Sequence, residues 1–348
     1  MALPFLRSER TAAMLLLVAA AAGLVIANSP AGHAVEQAMA FELGWSVHAW
    51  IEDGLLALFF LVAAIELRHE LVNGELRSPA LAARPAVAAA GGVLVPIAIY
   101  LAITAGSGQE GGWPVPTATD IAFSLGVLAI VGRGLLPQRI RAFLLALAII
   151  DDLVGILLIA LLFGADPHRL PTLVAVAIGA ALPARWGHAV RRALEPTVNG
   201  VVLPLFAFAA CLVAIPEVDR LAPAFWGIAV ALPVGKLIGI AGTTWLLDRI
   251  WVRERRRRMP PLDLAAVGAL GGIGFTVSLL LASLAFRGRP EVAAEATLAV
   301  LAGSAASAVV AIVLLSIRVA RIRAVARLRE RVRPSGRGPG PATGAPLV

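Results

Sequence analysis

Four ionisable residues stand inside sequence that is otherwise apolar. Lys236, the one lysine of the 348-residue chain, lies in Ala-Leu-Pro-Val-Gly-Lys-Leu-Ile-Gly. Asp120 heads the run Ile-Ala-Phe-Ser-Leu-Gly, and Asp151 with Asp152 interrupts Leu-Ala-Ile-Ile-Asp-Asp-Leu-Val-Gly. A cation halfway through a bilayer costs roughly 2.5–3.5 kcal/mol on insertion scales, so Lys236 needs a carboxylate partner or a neutral form. Three carboxylates against one amine leave acid in excess. Adjacent helical residues point about 100° apart, from 3.6 residues per turn. Asp151 and Asp152 therefore cannot both address one neighbouring helix: one can face Lys236 while the other faces a water-filled cavity. Carboxylates so placed attract a metal cation when ionised and cannot hold it when protonated, which suits the exchange of protons for cations. A salt bridge and carboxylates that only clamp helices are the alternative. Ionisable groups at this depth usually mark a pathway.

The elements that hold these residues look interrupted. Gly-Gly-Trp-Pro-Val-Pro-Thr-Ala-Thr-Asp ends at Asp120, and Pro114 and Pro116 remove amide donors and disturb the turns nearby. Leu-Gly-Gly-Ile-Gly-Phe-Thr, residues 270–276, places Gly271, Gly272 and Gly274 within four positions. Unwound backbone at membrane depth is tolerated only where it is buried in protein or lines a cavity. Interruptions at corresponding places in two halves of a chain point to a transporter binding site. Half-helix ends expose partial charges, and Asp120 and Lys236 have the signs to neutralise an N-terminal and a C-terminal pair. For the glycines alone, a close-packing seam is the alternative.

Composition sets the surroundings. The chain is 59% hydrophobic and 15% charged, with a mean hydropathy of +0.86, where a soluble domain carries about 25% charged residues. Its net charge of +8 is therefore no sign of nucleic-acid binding. Apolar runs of spanning length recur at Thr11–Ala27, Ala49–Leu67, Pro85–Thr104, Pro114–Val131, Ala142–Phe163, Leu170–Ala184, Val198–Ile215, Ala222–Leu247, Leu262–Phe286 and Ala296–Ile317. The expected fold is an all-α polytopic membrane protein of about ten helices. The first run exceeds the roughly 7–15 apolar residues of a cleaved signal peptide, so it reads as a retained helix. Cys211 stands alone, which excludes an internal disulfide framework and a thiolate cluster. Five scattered histidines give no transition-metal site.

Between these runs the arginines fall on one side. Only Arg169, Arg220, Arg287 and Arg289 lie opposite, so the bias puts both termini in the cytoplasm. The expected organisation is a cytoplasmic N-terminus over 1–10, one transmembrane domain over 11–317 and a basic tail over 318–348. That tail alternates Arg with apolar residues and then turns Pro/Gly-rich, which suits a helix on anionic lipid ending in disorder.

Taken together, Ala118-Thr119-Asp120-Ile-Ala-Phe-Ser-Leu-Gly126, Leu-Ala-Ile-Ile-Asp151-Asp152, Gly235-Lys236 and Gly272-Ile-Gly-Phe-Thr-Val-Ser278 closely resemble the NhaA-type sodium/proton antiporters. Asp53-Gly-Leu-Leu-Ala-Leu-Phe-Phe, Glu66-Leu-Arg-His-Glu70 and Leu203-Pro-Leu-Phe-Ala-Phe208 extend the likeness, in order, over about residues 10 to 318. The resemblance implies an inverted-repeat core with two broken, crossing helices. It implies electrogenic exchange of Na⁺ or Li⁺ for protons across the bacterial inner membrane, serving pH and sodium homeostasis, with no cofactor and no covalent chemistry. Carried over residue by residue, Asp152 would be the principal ligand of the transported Na⁺, with Asp151 pairing with Lys236. Thr119 and Asp120 would sit at the crossing, and Asp53 near the approach. A mouth cluster of Glu66, His69, Glu70, Arg191, Arg192 and Glu195 would bear on pH response.

The likeness is uneven. The family places two further spans where Asp166 and Pro167 form the whole bridge here, a loss that keeps inside/outside parity and thins the interface bundle. The connection Asn28–His48 is short for the hairpin through which the family forms homodimers. Arg191 and Arg192 replace an acidic and a titrating position, Glu52 adds a carboxylate beside Asp53, and His168 matches a family histidine. A transport-inactive sensor or regulator, or a symporter of similar fold, are the competing functions. A symporter would offer polar substrate contacts, whereas this core offers mainly carboxylates.

Overall fold

Within lipid only a helix satisfies its own backbone, so long runs of Ala, Leu, Val and Ile fold as helices. The computed structural model describes residues 9–43, 45–47, 50–73, 79–132, 135–163, 170–215, 221–251 and 258–332. In order these are α1 (Glu9–Ala27), α2 (Gly32–Ala40), β1 (Glu42–Leu43), β2 (Trp45–Ser46), α3 (Leu56–Asn73), α4 (Pro79–Thr104), α5 (Ile121–Gly132), α6 (Gln138–Phe163), α7 (Leu170–Ala181), α8 (Ala184–Thr197), α9 (Leu203–Ala210), α10 (Pro223–Val230), α11 (Lys236–Trp251), α12 (Pro261–Gly271), α13 (Phe275–Ala285) and α14 (Pro290–Val332). Wider π turns lead into α3 at Trp50–Leu55, join α8 to α9 at Val198–Val202 and join α10 to α11 at Ala231–Gly235.

Helix stands at each of the ten expected places. Among the described residues, Ala83–Thr104, Trp186–Ala210, Pro223–Trp251 and Pro290–Val325 are each long and apolar enough to cross a membrane. Three bent pairs pass the same test together: α1 with α2 at 108°, Glu110–Thr117 with α5 at 41°, and α12 with α13 at 45°. The fold is all-α and polytopic. The two strands are two residues each, in register Glu42↔Ser46 and Leu43↔Trp45, the one strand pairing among the described residues.

Most boundaries fall within about six residues of expectation, and two differ by more than ten. The seventh run begins at Ala184 instead of Val198, because Ala-Arg-Trp-Gly-His-Ala-Val-Arg-Arg-Ala-Leu-Glu is an amphipathic helix and the π turn carries its ladder past Pro196. The last helix runs unbroken from Pro290 through Ile317 to Val332, since no Gly or Pro stands between Ile317 and Pro334 and good helix formers continue. Residues 333–348 lie outside the described set.

The helix bearing Lys236 is seated by backbone contact. A Cβ on Gly239 would lie 2.2 Å from the Gly91 carbonyl oxygen, and one on Gly235 would lie 2.8 Å from Pro96 Cα. Only glycine permits α11 to press this closely on α4, the small-residue packing of membrane helices.

Candidate ion site

The two interrupted segments cross, and they run antiparallel where they do. Ser278 Oγ donates to the Val115 carbonyl at 2.8 Å, Asp120 N to the Ile273 carbonyl at 2.6 Å, and Ser124 Oγ to the Leu270 carbonyl at 2.8 Å. The Leu270 carbonyl also accepts the Ile273 N–H, so the crossing uses a spare acceptor there, and at Asp120 N and the Ile273 carbonyl each break supplies the other's partner. Gly272 is demanded by crowding: its Cβ would meet Ser307 Oγ at 2.5 Å and the Leu232 carbonyl at 2.7 Å.

One carboxylate serves two helix starts. Asp120 Oδ1 accepts the N–H of Phe123 at 2.9 Å, capping α5. Asp120 Oδ2 accepts the Thr276 hydroxyl at 2.7 Å and its N–H at 3.3 Å, at the start of α13. A negative charge between two positive helix ends is electrostatically favoured. The Phe123 and Phe275 rings pack beside it with centroids 5.6 Å apart.

Against this crossing lies a wholly buried ion pair. Lys236 Nζ is 2.8 Å from Asp151 Oδ2, with neither side chain exposed. The ammonium also donates to Thr119 Oγ1 at 3.1 Å. Thr119 Oγ1 lies 2.7 Å from Asp151 Oδ2 and 2.7 Å from the Gly271 carbonyl, and its one proton serves one of them at a time. Asp151 Oδ1 is buried with no hydrogen-bond partner among the described residues. Among the described residues, Lys236 is linked to the C-terminal end of α12 through Thr119.

The structure therefore brings together Thr119, Asp120, Asp151 and Lys236. Asp152 follows Asp151 on α6, but its side chain lies outside the described residues, as do those of Glu52, Asp53 and Glu70. His168 falls wholly outside them. Glu66, His69 and Glu195 gather elsewhere, where α3 meets α8. Arg191 bridges Glu66 at 3.2 Å and Glu195 at 3.7 Å, and the His69 and His188 rings meet edge-on with centroids 4.3 Å apart. Among the described residues no group of three or more His, Cys, Asp or Glu could hold a resident metal ion.

Several polar residues had escaped the sequence analysis. His188 is one; its spacing of three from Arg191 on a common helix face was the available signal. Three further acids, Asp248, Asp263 and Glu295, are buried near the ends of the apolar runs. Arg84 pairs with Asp248 at 2.7 Å, Arg139 and Arg318 both reach Asp263, and Glu295 accepts the Ala222 N–H at 2.6 Å. Their arginines border loops and so read as solvated charge.

Two interrupted helices crossing inside an apolar helical bundle, with an ion pair buried at the crossing, define a multi-pass membrane protein of the broken-helix class. The family model described as Na+/H+ antiporter 1 matches residues 4–186 and 171–315. The chain is 48% identical over 383 residues to the Na(+)/H(+) antiporter NhaA 2 of Clavibacter michiganensis subsp. michiganensis, covering 91% of this chain and 92% of that protein. It is 41% identical over 370 residues to the Na(+)/H(+) antiporter NhaA of Tropheryma whipplei, covering 89% and 94%. To the Na(+)/H(+) antiporter NhaA 3 of Streptomyces coelicolor it is 38% identical over 393 residues, covering 94% and 82%. The chain belongs to the Na+/H+ antiporter 1 family. These alignments run over more positions than the chain has residues, so its relatives carry sequence that it lacks.

Proposed function

We propose that the chain exchanges Na⁺ for protons across the bacterial inner membrane, electrogenically, with Li⁺ as an alternative cargo and both termini in the cytoplasm. The observation that carries this is the buried Lys236–Asp151 pair at the crossing, 2.8 Å apart, beside a carboxylate oxygen without a described partner. The relatives named above supply the ions.

In this reading Asp152 is the principal ligand for Na⁺ and Asp151 turns between Lys236 and the cation. The Thr119 hydroxyl steadies that turn from the crossing, and Asp120 keeps the two helix starts together. Protons and Na⁺ compete for the same carboxylate oxygens: protonation removes the charge that holds the cation, and cation binding displaces the protons. Asp53 stands on the approach. Glu66, His69, Glu70 and Glu195 tune the response to pH.

Everted membrane vesicles test it. Added Na⁺ should dissipate a respiration-driven proton gradient, and Asp152→Asn should abolish that response while leaving the protein in the membrane. Wild-type vesicles that ignore Na⁺, Li⁺ and K⁺ across a neutral-to-alkaline pH series would overturn the proposal. Full activity in Asp152→Asn would reject that residue as the ligand.

A further inference from the structure

The last helix touches the second broken helix on both sides of its break. On the Pro261 side, Arg318 Nε donates to Asp263 Oδ1 at 2.5 Å and its Nη2 to Oδ2 at 3.4 Å. Asp263 is wholly buried, and Arg139 of α6 reaches the same Oδ2 at 3.4 Å. On the other side, Ser304 Oγ accepts the N–H of Phe275 at 3.2 Å. Phe275 begins α13 at φ 22°, the one described non-glycine residue with positive φ. Between Arg318 and Ser304, α14 runs without interruption for about 21 Å at 1.5 Å per residue. One turn beyond Ser304, Ser307 lies buried against Gly272 at the break itself.

What the break separates is what the ion site uses. The Gly271 carbonyl, which accepts from the Thr119 hydroxyl, ends α12; the Thr276 N–H, which donates to Asp120, lies in the first turn of α13. At the 45° bend the backbone bonds of α12 run out at Ile273 N→Leu270 O, and those of α13 begin with Ser278 N→Gly274 O. The Phe275 and Thr276 N–H groups turn to Ser304 and Asp120, so among the described residues no backbone bond ties one half to the other. Thr119 and Asp120 are consecutive residues, so if the halves shift, the Gly271 contact to Thr119 and the Thr276 contacts to Asp120 can no longer both be kept, and Thr119 also touches Asp151 and Lys236. Arg139 adds a third strut, because α6, which it anchors to Asp263, also bears Asp151.

We infer that α14 is a splint across the break: Arg318 and Ser304 are positioning residues that hold α12 and α13 at the separation the cation site requires. The link to transport rests on the Na⁺/H⁺ reading of that site; the mechanical part does not. Arg318→Gln and Ser304→Ala each release one end. In the purified full-length chain, hydrogen–deuterium exchange over residues 270–278 should rise in both variants, including Arg318→Gln, whose substitution is remote in sequence.

In everted vesicles the apparent KM for Na⁺ should rise roughly three- to tenfold, the size expected for one lost hydrogen bond. The maximal rate should stay within about twofold, the split expected when binding alone is impaired. Arg318→Lys and Ser304→Thr should recover most of the loss. The double variant should be no worse than the larger single, since a splint freed at one end is already lost. Unchanged exchange over 270–278, or KM effects that multiply in the double variant, would overturn the inference. If Arg318→Gln fails to fold, Ser304→Ala decides by the same two measurements. If wild type moves no Na⁺, the functional reading fails, and the exchange measurement still decides whether the splint exists.

Discussion

Lys236 and Asp151 each depend on the other for being buried at all. Removing one member of a buried pair leaves an uncompensated charge and costs about 3–5 kcal/mol, whereas replacing both with apolar groups is often neutral. Lys236→Ala should therefore lower the thermal midpoint of the detergent-solubilised protein and abolish Na⁺-driven proton movement. Lys236→Met combined with Asp151→Leu should recover most of the stability and none of the transport. A Lys236→Ala variant as stable as wild type would mean that Asp151 has another counter-charge. At this scale Thr119 matters as much as the two charges, because it touches both of them and the Gly271 carbonyl.

Helices here are placed by what they lack as much as by what they carry. Gly239→Val would drive a side chain into the Gly91 carbonyl, backbone that cannot move aside; overpacking of this kind costs about 1–3 kcal/mol or more. Gly242→Val, on the same helix with nothing near its Cβ position, should be tolerated. Size-exclusion profiles and thermal midpoints of the two variants make the comparison, and equal behaviour would refute the seam. Much of this scale was legible in the residues. Pro114, Pro116 and the glycines at 271–274 announced both interruptions, and four charges in apolar runs announced the site. Other features carried no such contrast. Asp263 and Asp248 sit next to arginine-rich loops, so hydropathy could not tell a buried pair from a wet one. Ser304 is a small residue in an Ala/Val helix, and only its distance to Phe275 N reveals its work. The rule that adjacent aspartates diverge permits either to face Lys236; packing of α6 selects Asp151.

Along the whole chain, arginines crowd alternate connections between the apolar runs and are sparse in the others. The proposed orientation makes this checkable. With Cys211, the sole cysteine and a buried one, changed to serine, Ser335→Cys should react with a membrane-impermeant maleimide in everted vesicles and not in intact cells. The reverse pattern would invert the topology. The same one-sidedness of composition has a practical consequence. Because arginine has displaced lysine everywhere else, the only side-chain amine in the chain is the one sealed beside Asp151. Acylating or reductively methylating reagents, which decorate the outside of most proteins indiscriminately, find no target on this surface apart from the α-amino group. Any isotope-coded tag recovered on Lys236 thus clocks how often the interior opens, read by mass spectrometry without introducing a single label site.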